Sequence, residues 1–434
     1  MVGVGNARPW RALVAALVLV ALVLVGCARI AITPEGDVVV TVLDQYGRPL
    51  PGVEVSLGGG AGVETTNAGG EATFEGIAKP YDMALYYAAL NEVRIYLGMS
   101  LDIPVVRLGG ASAGAWESQA TLSGLVTNPL ATANPTSVWT GFLTEGFETY
   151  GTMGAATASG FPYSATPHWS SSGSTTLYGY AIEAEYDGGG DVLGLRGAYE
   201  TRSIDPGAAA TFDLPLQDYT PGQIQGTVSV PLGFSHAYHE YGTRVGLDAA
   251  GFVDFPLDAD PATGAAFDHV TMELPAPWVA QFYTYDFFTT GSGGGFTVAR
   301  GSLGPNETGV SVSGTMSVPS LGLTDGDTLG VGDVIDLGSG GSTYALAFEA
   351  TSPSATSPYV LVLGAGDQVT VPDLAEFGSG LGGSYSANLR RYSLSLSDLA
   401  TDEMDNDALF QGFSATLDYE MWFSPTVSNL TLSY

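Results

Sequence analysis

Residues 37–74 read DVVVTVLDQYGRPLPGVEVSLGGGAGVETTNAGGEATF, short β-branched runs separated by turn residues. Asp37 to Leu43 has the β-branched run of a strand, and Asp44-Gln45-Tyr46-Gly47-Arg48-Pro49 breaks it with turn residues. A second strand follows, with Val53, Val55 and Leu57 on one face and Glu54 and Ser56 on the other. Beyond a glycine-rich loop, Thr65-Thr66-Asn67-Ala68-Gly69-Gly70 is a tight turn of residues that tolerate positive φ. It feeds the strand Glu71-Ala72-Thr73-Phe74. Farther on, Met83 to Leu90 reads as strand because Tyr86 and Tyr87 favour it.

The segments LDQYGRPLPGVEVSL and TTNAGGEATFEGI resemble the carboxypeptidase-regulatory-like family. The resemblance covers about Asp37 to Leu108. It implies a transthyretin-like seven-strand sandwich of structural or adhesive character, and it brings no catalytic residue with it.

Upstream, Arg8 and Arg11 precede an apolar run from Ala12 to Val25, the layout of a secretory signal peptide. The run falls short of the roughly 20 residues that span a bilayer. It ends in Leu24-Val25-Gly26-Cys27, which resembles the lipobox of bacterial lipoproteins. That resemblance implies cleavage between Gly26 and Cys27, with diacylglycerol and a further acyl chain such as palmitate on Cys27. Several acyl chains satisfy the two-signal requirement for stable anchoring. The expected partner is therefore a membrane, reached through lipidated Cys27, on the extracytoplasmic side of a cell or outer membrane. Cys27 is the chain's only cysteine, so no disulfide forms within it and core packing must hold the fold.

The chain has 434 residues, a formal net charge of −32, 60 glycines and 24 prolines. So acidic a surface repels nucleic acid and anionic headgroups. Gly and Pro at this density, with 13% charged residues, favour many short strands over long helices. Three stretches open in a similar way: Ser123-Gly124-Leu125-Val126-Thr127, Gly226-Thr227-Val228-Ser229-Val230-Pro231 and Gly314-Thr315-Met316-Ser317-Val318-Pro319. The last two differ only at Val228 and Met316, which points to a repeated unit. The expected fold is all-β, a tandem series of β-sandwich (Ig-like or transthyretin-like) modules. Its divisions are signal peptide 1–26, tether 27–36, a sandwich at 37–108 and further sandwiches at 119–220, 221–312 and 313–434. Such modules would stand in line, each burying its own core, with small interfaces. Tyr178 to Tyr186 and Val192 to Thr201 read as a hairpin joined through Asp187-Gly188-Gly189-Gly190-Asp191.

Gly110-Ala111-Ser112-Ala113-Gly114 resembles the nucleophile elbow of patatin-like lipases. Asp187 to Gly190, with Arg196 nearby, resembles that family's oxyanion loop. The elbow needs a strand before the serine and a helix after it. Here Trp116 to Ala120 leaves no room for the helix, and the family's order of motifs is inverted. Ser112 therefore reads as a linker residue and a serine hydrolase is the remote alternative. No catalytic residue and no cofactor are assigned.

His236 and His239 lie three apart, a spacing that sends them to opposite faces of a regular strand. They match neither the HExxH nor the HxxEH order, and no metal ligand is assigned. Two acidic groups, Asp325, Asp327, Asp333 and Asp336, then Asp402, Glu403, Asp405, Asn406 and Asp407, offer hard oxygens for weak calcium binding outside EF-hand spacing. Gln281-Phe282-Tyr283-Thr284-Tyr285-Asp286-Phe287-Phe288 puts aromatics on both faces of a strand. If exposed they would suit a sugar ring; if buried they fill a core. The function expected is a non-catalytic, lipid-anchored structural or adhesive surface protein with a protein or carbohydrate partner. The alternative is a lipoprotein that binds a carbohydrate or other small ligand.

Overall fold

A computed structural model describes residues 35–433 except 59–61, 145–146, 151–152, 156, 158, 248–250, 261–265, 275–278, 292, 315–317, 340–342, 353–356, 378–382 and 394–418. The chain is all-β; the one helical element among the described residues is a single 3-10 turn at Ala375–Phe377. Its strands fall into four groups that repeat one path.

The first group is β1 (Glu35–Asp44), β2 (Glu54–Ser56), β3 (Val63–Thr65), β4 (Glu71–Ala78), β5 (Tyr81–Tyr87), β6 (Glu92–Met99) and β7 (Val105–Leu108). A three-stranded sheet in the order β4-β1-β7 faces strands in the order β3-β2-β5-β6. The opening strand β1 is central, antiparallel to β4 and parallel to β7. Val38, Val40 and Val42 are fully buried from it, alternating with half-buried Val39 and Thr41, as the two-residue pleat requires. The strand expected over Met83–Leu90 is β5, which ends at Tyr87 before a turn closed by the Leu90 and Asn91 amides.

The second group is β8 (Ser118–Gln119), β9 (Thr121–Thr127), β10 (Thr136–Thr144), β11 (Phe147–Tyr150), β12 (Phe161–Ala165), β13 (His168–Trp169), β14 (Thr175–Tyr186), β15 (Val192–Ile204), β16 (Ala209–Thr211) and β17 (Leu214–Pro215). Sheet β12-β9-β16 faces sheet β11-β10-β14-β15, and β9 is again antiparallel to one neighbour and parallel to the other. The β14–β15 hairpin turns where the sequence places it. Asp187 Oδ1 accepts the amides of Gly189, Gly190 and Asp191 there.

The third group is β18 (Thr220–Ser229), β19 (Ser235–Leu247), β20 (Gly251–Asp260), β21 (Ala266–Glu273), β22 (Val279–Thr289), β23 (Gly295–Leu303) and β24 (Asn306–Ser313). Sheet β21-β18-β24 faces strands β20-β19-β22-β23. The fourth is β25 (Thr328–Gly330), β26 (Val334–Asp336), β27 (Thr343–Ala350), β28 (Tyr359–Gly364), β29 (Gln368–Thr370), β30 (Gly383–Tyr392), β31 (Tyr419–Phe423) and β32 (Val427–Ser433). Here the opening strand is split: β26 takes the antiparallel partner β29, and β25 the parallel partner β32.

Gly124 and Gly226 occupy the central strands β9 and β18, where the parallel last strand comes close. A side chain at Gly124 would collide with the Phe212 carbonyl, and one at Gly226 would lie 2.5 Å from the Val310 oxygen. Gly314 follows β24, and Thr315, Met316 and Ser317 of the third opening lie outside the described residues.

The groups do not stand apart as expected. Antiparallel pairing of β23 with β31, from Gly295↔Phe423 to Ala299↔Tyr419, joins the third to the fourth. Parallel pairing of β28 with β6, from Tyr359↔Glu92 to Leu363↔Tyr96, joins the fourth to the first. One 14-stranded sheet results. The physical reason is that a four-stranded sheet leaves unpaired edges, and pairing them within the chain covers groups that would otherwise recruit another molecule. The cores merge as well. Leu361, Leu363 and Met421 pack into the cluster of Val40, Val55 and Met83, while Leu143 and Tyr180 of the second group pack with Tyr241 and Phe255 of the third.

Candidate functional site

Gly26 and Cys27 lie outside the described residues, as do Asp402, Glu403, Asp405, Asn406 and Asp407. Among the described residues no helix is long and apolar enough to cross a membrane.

Ser112 sits between β7 and β8 with no helix after it. Its Oγ accepts from Arg48 Nη2 at 3.2 Å, and the neighbouring Ala113 amide donates to Asp44 Oδ2 at 2.9 Å. The Arg48 guanidinium also lies 3.8 Å from the centre of the Trp116 ring. The linker is thus clamped to the β1 turn, and the strand-to-helix elbow that the G-x-S-x-G motif requires is not formed at Ser112.

The first acidic group is distributed over separate turns. Asp325 accepts the Ser428 amide, Asp327 the Thr324 amide and hydroxyl, Asp333 the Gly330 amide and Asp336 the Gly338 amide. The aromatics of the segment 281–288 are in cores. Phe282 and Phe288 are fully buried on one face of β22, and Tyr283 and Tyr285 are buried on the other.

The histidines give the result that sequence spacing did not foresee. In β19 the ladder to β22 pairs His236 with Phe288 and then Tyr238 with Phe287, so Ala237 is an extra, bulged residue. A bulge shifts the alternation by one, which brings His236 and His239 to the same face. Asp286 is directly opposite His239. His236 Nε2 and His239 Nδ1 each lie 2.8 Å from Asp286 Oδ1. His239 Nε2 in turn meets Nε2 of His269, which arrives on β21 from the facing sheet.

The cluster is inside the third sandwich and splits its core. Tyr241 and Phe282 belong to one apolar cluster, Phe288, Phe296 and Trp422 to another. Aromatic rings enclose it: His236 stacks on Phe288 at 4.7 Å, and His269 lies between Tyr241 at 4.3 Å and His239 at 4.9 Å. Asp286 is fully buried, and its Oδ2 has no hydrogen-bond partner.

Burial alone would raise the Asp286 carboxyl, but hydrogen bonds from His236 and His239, with their nearby charge, hold it below the usual carboxylate range. Burial, and then His239 beside it, push His269 down to about 3 against the pull of Asp286. The arrangement is therefore a buried carboxylate anion facing neutral His269 across His239. On the opposite face of β19, burial pushes the Glu240 carboxyl up while the Tyr238 and Tyr283 hydroxyls donate to it.

Ligand atoms of His236, His239 and Asp286 lie within 4.8 Å of one another, the one group of this kind among the described residues. Asp286 carried a partial signal: it shares a strand face with Phe282 and Phe288, and an anion on an apolar face needs partners. His269 carried none in sequence, since it reaches the site only across the sandwich.

No family model matches the chain, and no curated protein does. Among solved structures it is similar to the Bacillus anthracis TIE protein at 12% identity, over 64% of this chain and 50% of that one, with a TM-score of 0.15. It is similar to the fimbrial anchor protein Mfa2 from Porphyromonas gingivalis at 8% identity, over 38% and 76%, with a TM-score of 0.16. A third is BcpA, the major pilin subunit of Bacillus cereus, at 8% identity over 64% and 99%, with a TM-score of 0.12. The chain spans half the length of the first.

Proposed function

We propose that this chain is a non-catalytic structural or adhesive protein of the bacterial cell envelope, tethered outside the cytoplasm by lipid on Cys27. The observation that supports the structural reading is the continuous sheet through β23–β31 and β28–β6. Edge pairing and shared cores join three sandwiches, and the second packs on the third through Leu143 and Tyr180. A body so joined resists bending between its parts, which suits a stalk or display platform. The ring faces of Phe282 and Phe288 are spent on packing, which removes them as a sugar platform.

The anchor rests on Leu24-Val25-Gly26-Cys27 and its resemblance to a lipobox. Metabolic labelling with a fatty-acid analogue tests it. The native chain should take up label and sediment with membranes, and Cys27→Ser should do neither. Equal labelling of both chains would overturn the anchor. Protease treatment of intact cells tests display: a C-terminal epitope should be lost from the native chain without lysis. An epitope protected until both membranes are opened would overturn surface exposure.

A further inference from the structure

We propose that His236 Nε2, His239 Nδ1 and the Asp286 carboxylate bind one divalent transition-metal ion of the zinc class inside the third sandwich. Three ligand atoms from two adjacent strands point at one place, brought there by the bulge at Ala237. Ligands held about 2.1 Å from such an ion stand roughly 3.0 to 3.4 Å apart, depending on coordination geometry. The two nitrogens are 2.8 Å from Asp286 Oδ1, and all three ligand atoms lie within 4.8 Å of one another, so an ion requires the carboxylate to move off the nitrogens and the imidazoles to settle at the common ligand spacing.

A second, independent observation is Asp286 Oδ2, an oxygen without a partner on a fully buried side chain. A buried carboxylate oxygen left unpaired is costly, and a cation is what relieves it. Thr284, two residues earlier on the same face of β22, also keeps a buried hydroxyl without a partner.

The donor set names the class of ion. Two imidazoles and one carboxylate suit zinc and its first-row neighbours, whereas calcium and magnesium take oxygen ligands. His269 completes the arrangement from outside. Its Nε2 lies 2.7 Å from the remaining nitrogen of His239, the place of the outer partner that orients a ligating histidine. The metal would tie β19 to β22 and, through His269, to β21 on the facing sheet. That is the constraint a disulfide supplies elsewhere, in a chain whose single cysteine cannot form one.

The test uses the full-length chain purified in detergent, stripped with a chelator and titrated calorimetrically with zinc chloride. One zinc per chain should bind, and zinc should raise the thermal midpoint in a way that chelator reverses. His239→Gln and Asp286→Asn should each lower the affinity at least a hundredfold. His269→Phe should lower it ten- to a hundredfold while keeping one site, and His168→Gln should change nothing. Absence of saturable one-to-one uptake by the native chain overturns the site, whatever the variants do. Uptake that His239→Gln and Asp286→Asn leave intact, with both folded by circular dichroism, overturns it equally. Neither result bears on the lipid anchor.

Discussion

His239 and His269 meet Nε2 to Nε2 across 2.7 Å, from strands of opposite sheets. Two ring nitrogens at that distance must share a single proton, so one donates and the other accepts. Burial keeps His269 uncharged, and the far nitrogen of His239 faces the anionic Asp286. The two sheets of the third sandwich are thereby joined by a polar chain through an aromatic core. Its members contribute unequally.

In chelator-treated protein, His269→Phe keeps the ring stack on Tyr241 and removes one hydrogen bond. The expected loss is about 1 kcal/mol. Asp286→Ala strips the shared acceptor from His236 and from buried His239, and about 3 kcal/mol is expected. Urea unfolding of the two variants checks the order. A larger loss for His269→Phe would mean that the carboxylate is not the centre of the cluster.

Glu183 provides a pH dependence far from that site. It is buried on β14; Oε2 accepts the Leu130 amide at 2.9 Å and lies 3.7 Å from Arg196, while Oε1 has no partner. Burial raises its carboxyl above the ordinary value, and the Leu130 bond and Arg196 only partly offset this. A raised folded-state pKa means that the ionised group opposes folding at neutral pH. The opposition fades as pH falls through the raised value toward the ordinary one. Glu183→Gln should therefore stabilise by about 1 kcal/mol at pH 7.5 and by clearly less at pH 4.5. Thermal midpoints at the two pH values decide it, and an equal or negative change at pH 7.5 refutes the assignment.

Gly226→Ala probes the repeated strand opening. The new methyl would lie 2.5 Å from the Val310 carbonyl oxygen and would strike the Phe267 ring, so β18 and β24 must separate. A cost of roughly 2–3 kcal/mol is expected. Gly173→Ala meets nothing within 4 Å and should stay within about 0.5 kcal/mol of the native chain. Matched changes at both positions would show that crowding does not explain the glycine, since the backbone-entropy effect of Gly→Ala favours folding at either site.

These positions also show what could be read in the sequence. Val38, Val40, Val42, Val53 and Val55 announced strands by period and composition, and all five are buried in one core. The Asp187 turn was legible because asparagine, aspartate and glycine have local conformational preferences. The joining of sandwiches was not, since β6 and β28 meet in parallel across more than 250 residues and neither strand signals its partner. The histidine cluster was hidden by a single bulged residue, Ala237. A strict two-residue period sends His236 and His239 apart, and nothing in the composition around them marks the irregularity.

The shared core leads to the last prediction. Leu361 belongs to β28 of the fourth group, yet it is fully buried among Val40, Val55, Met83 and Tyr96 of the first. Leu361→Ala should cost about 3 kcal/mol through lost transfer energy and the cavity left behind. What matters is where that loss appears. Hydrogen exchange followed by mass spectrometry should show weakened protection in β1 and β5 as well as in β27 and β28. Phe142→Leu is the comparison, because Phe142 packs in a core drawn wholly from residues 120–216. Its effect should stay largely within the second sandwich. If Leu361→Ala instead loosens only residues 343–392, the first sandwich holds its own core. The parallel seam at β6–β28 would then be a contact and not a structural joint.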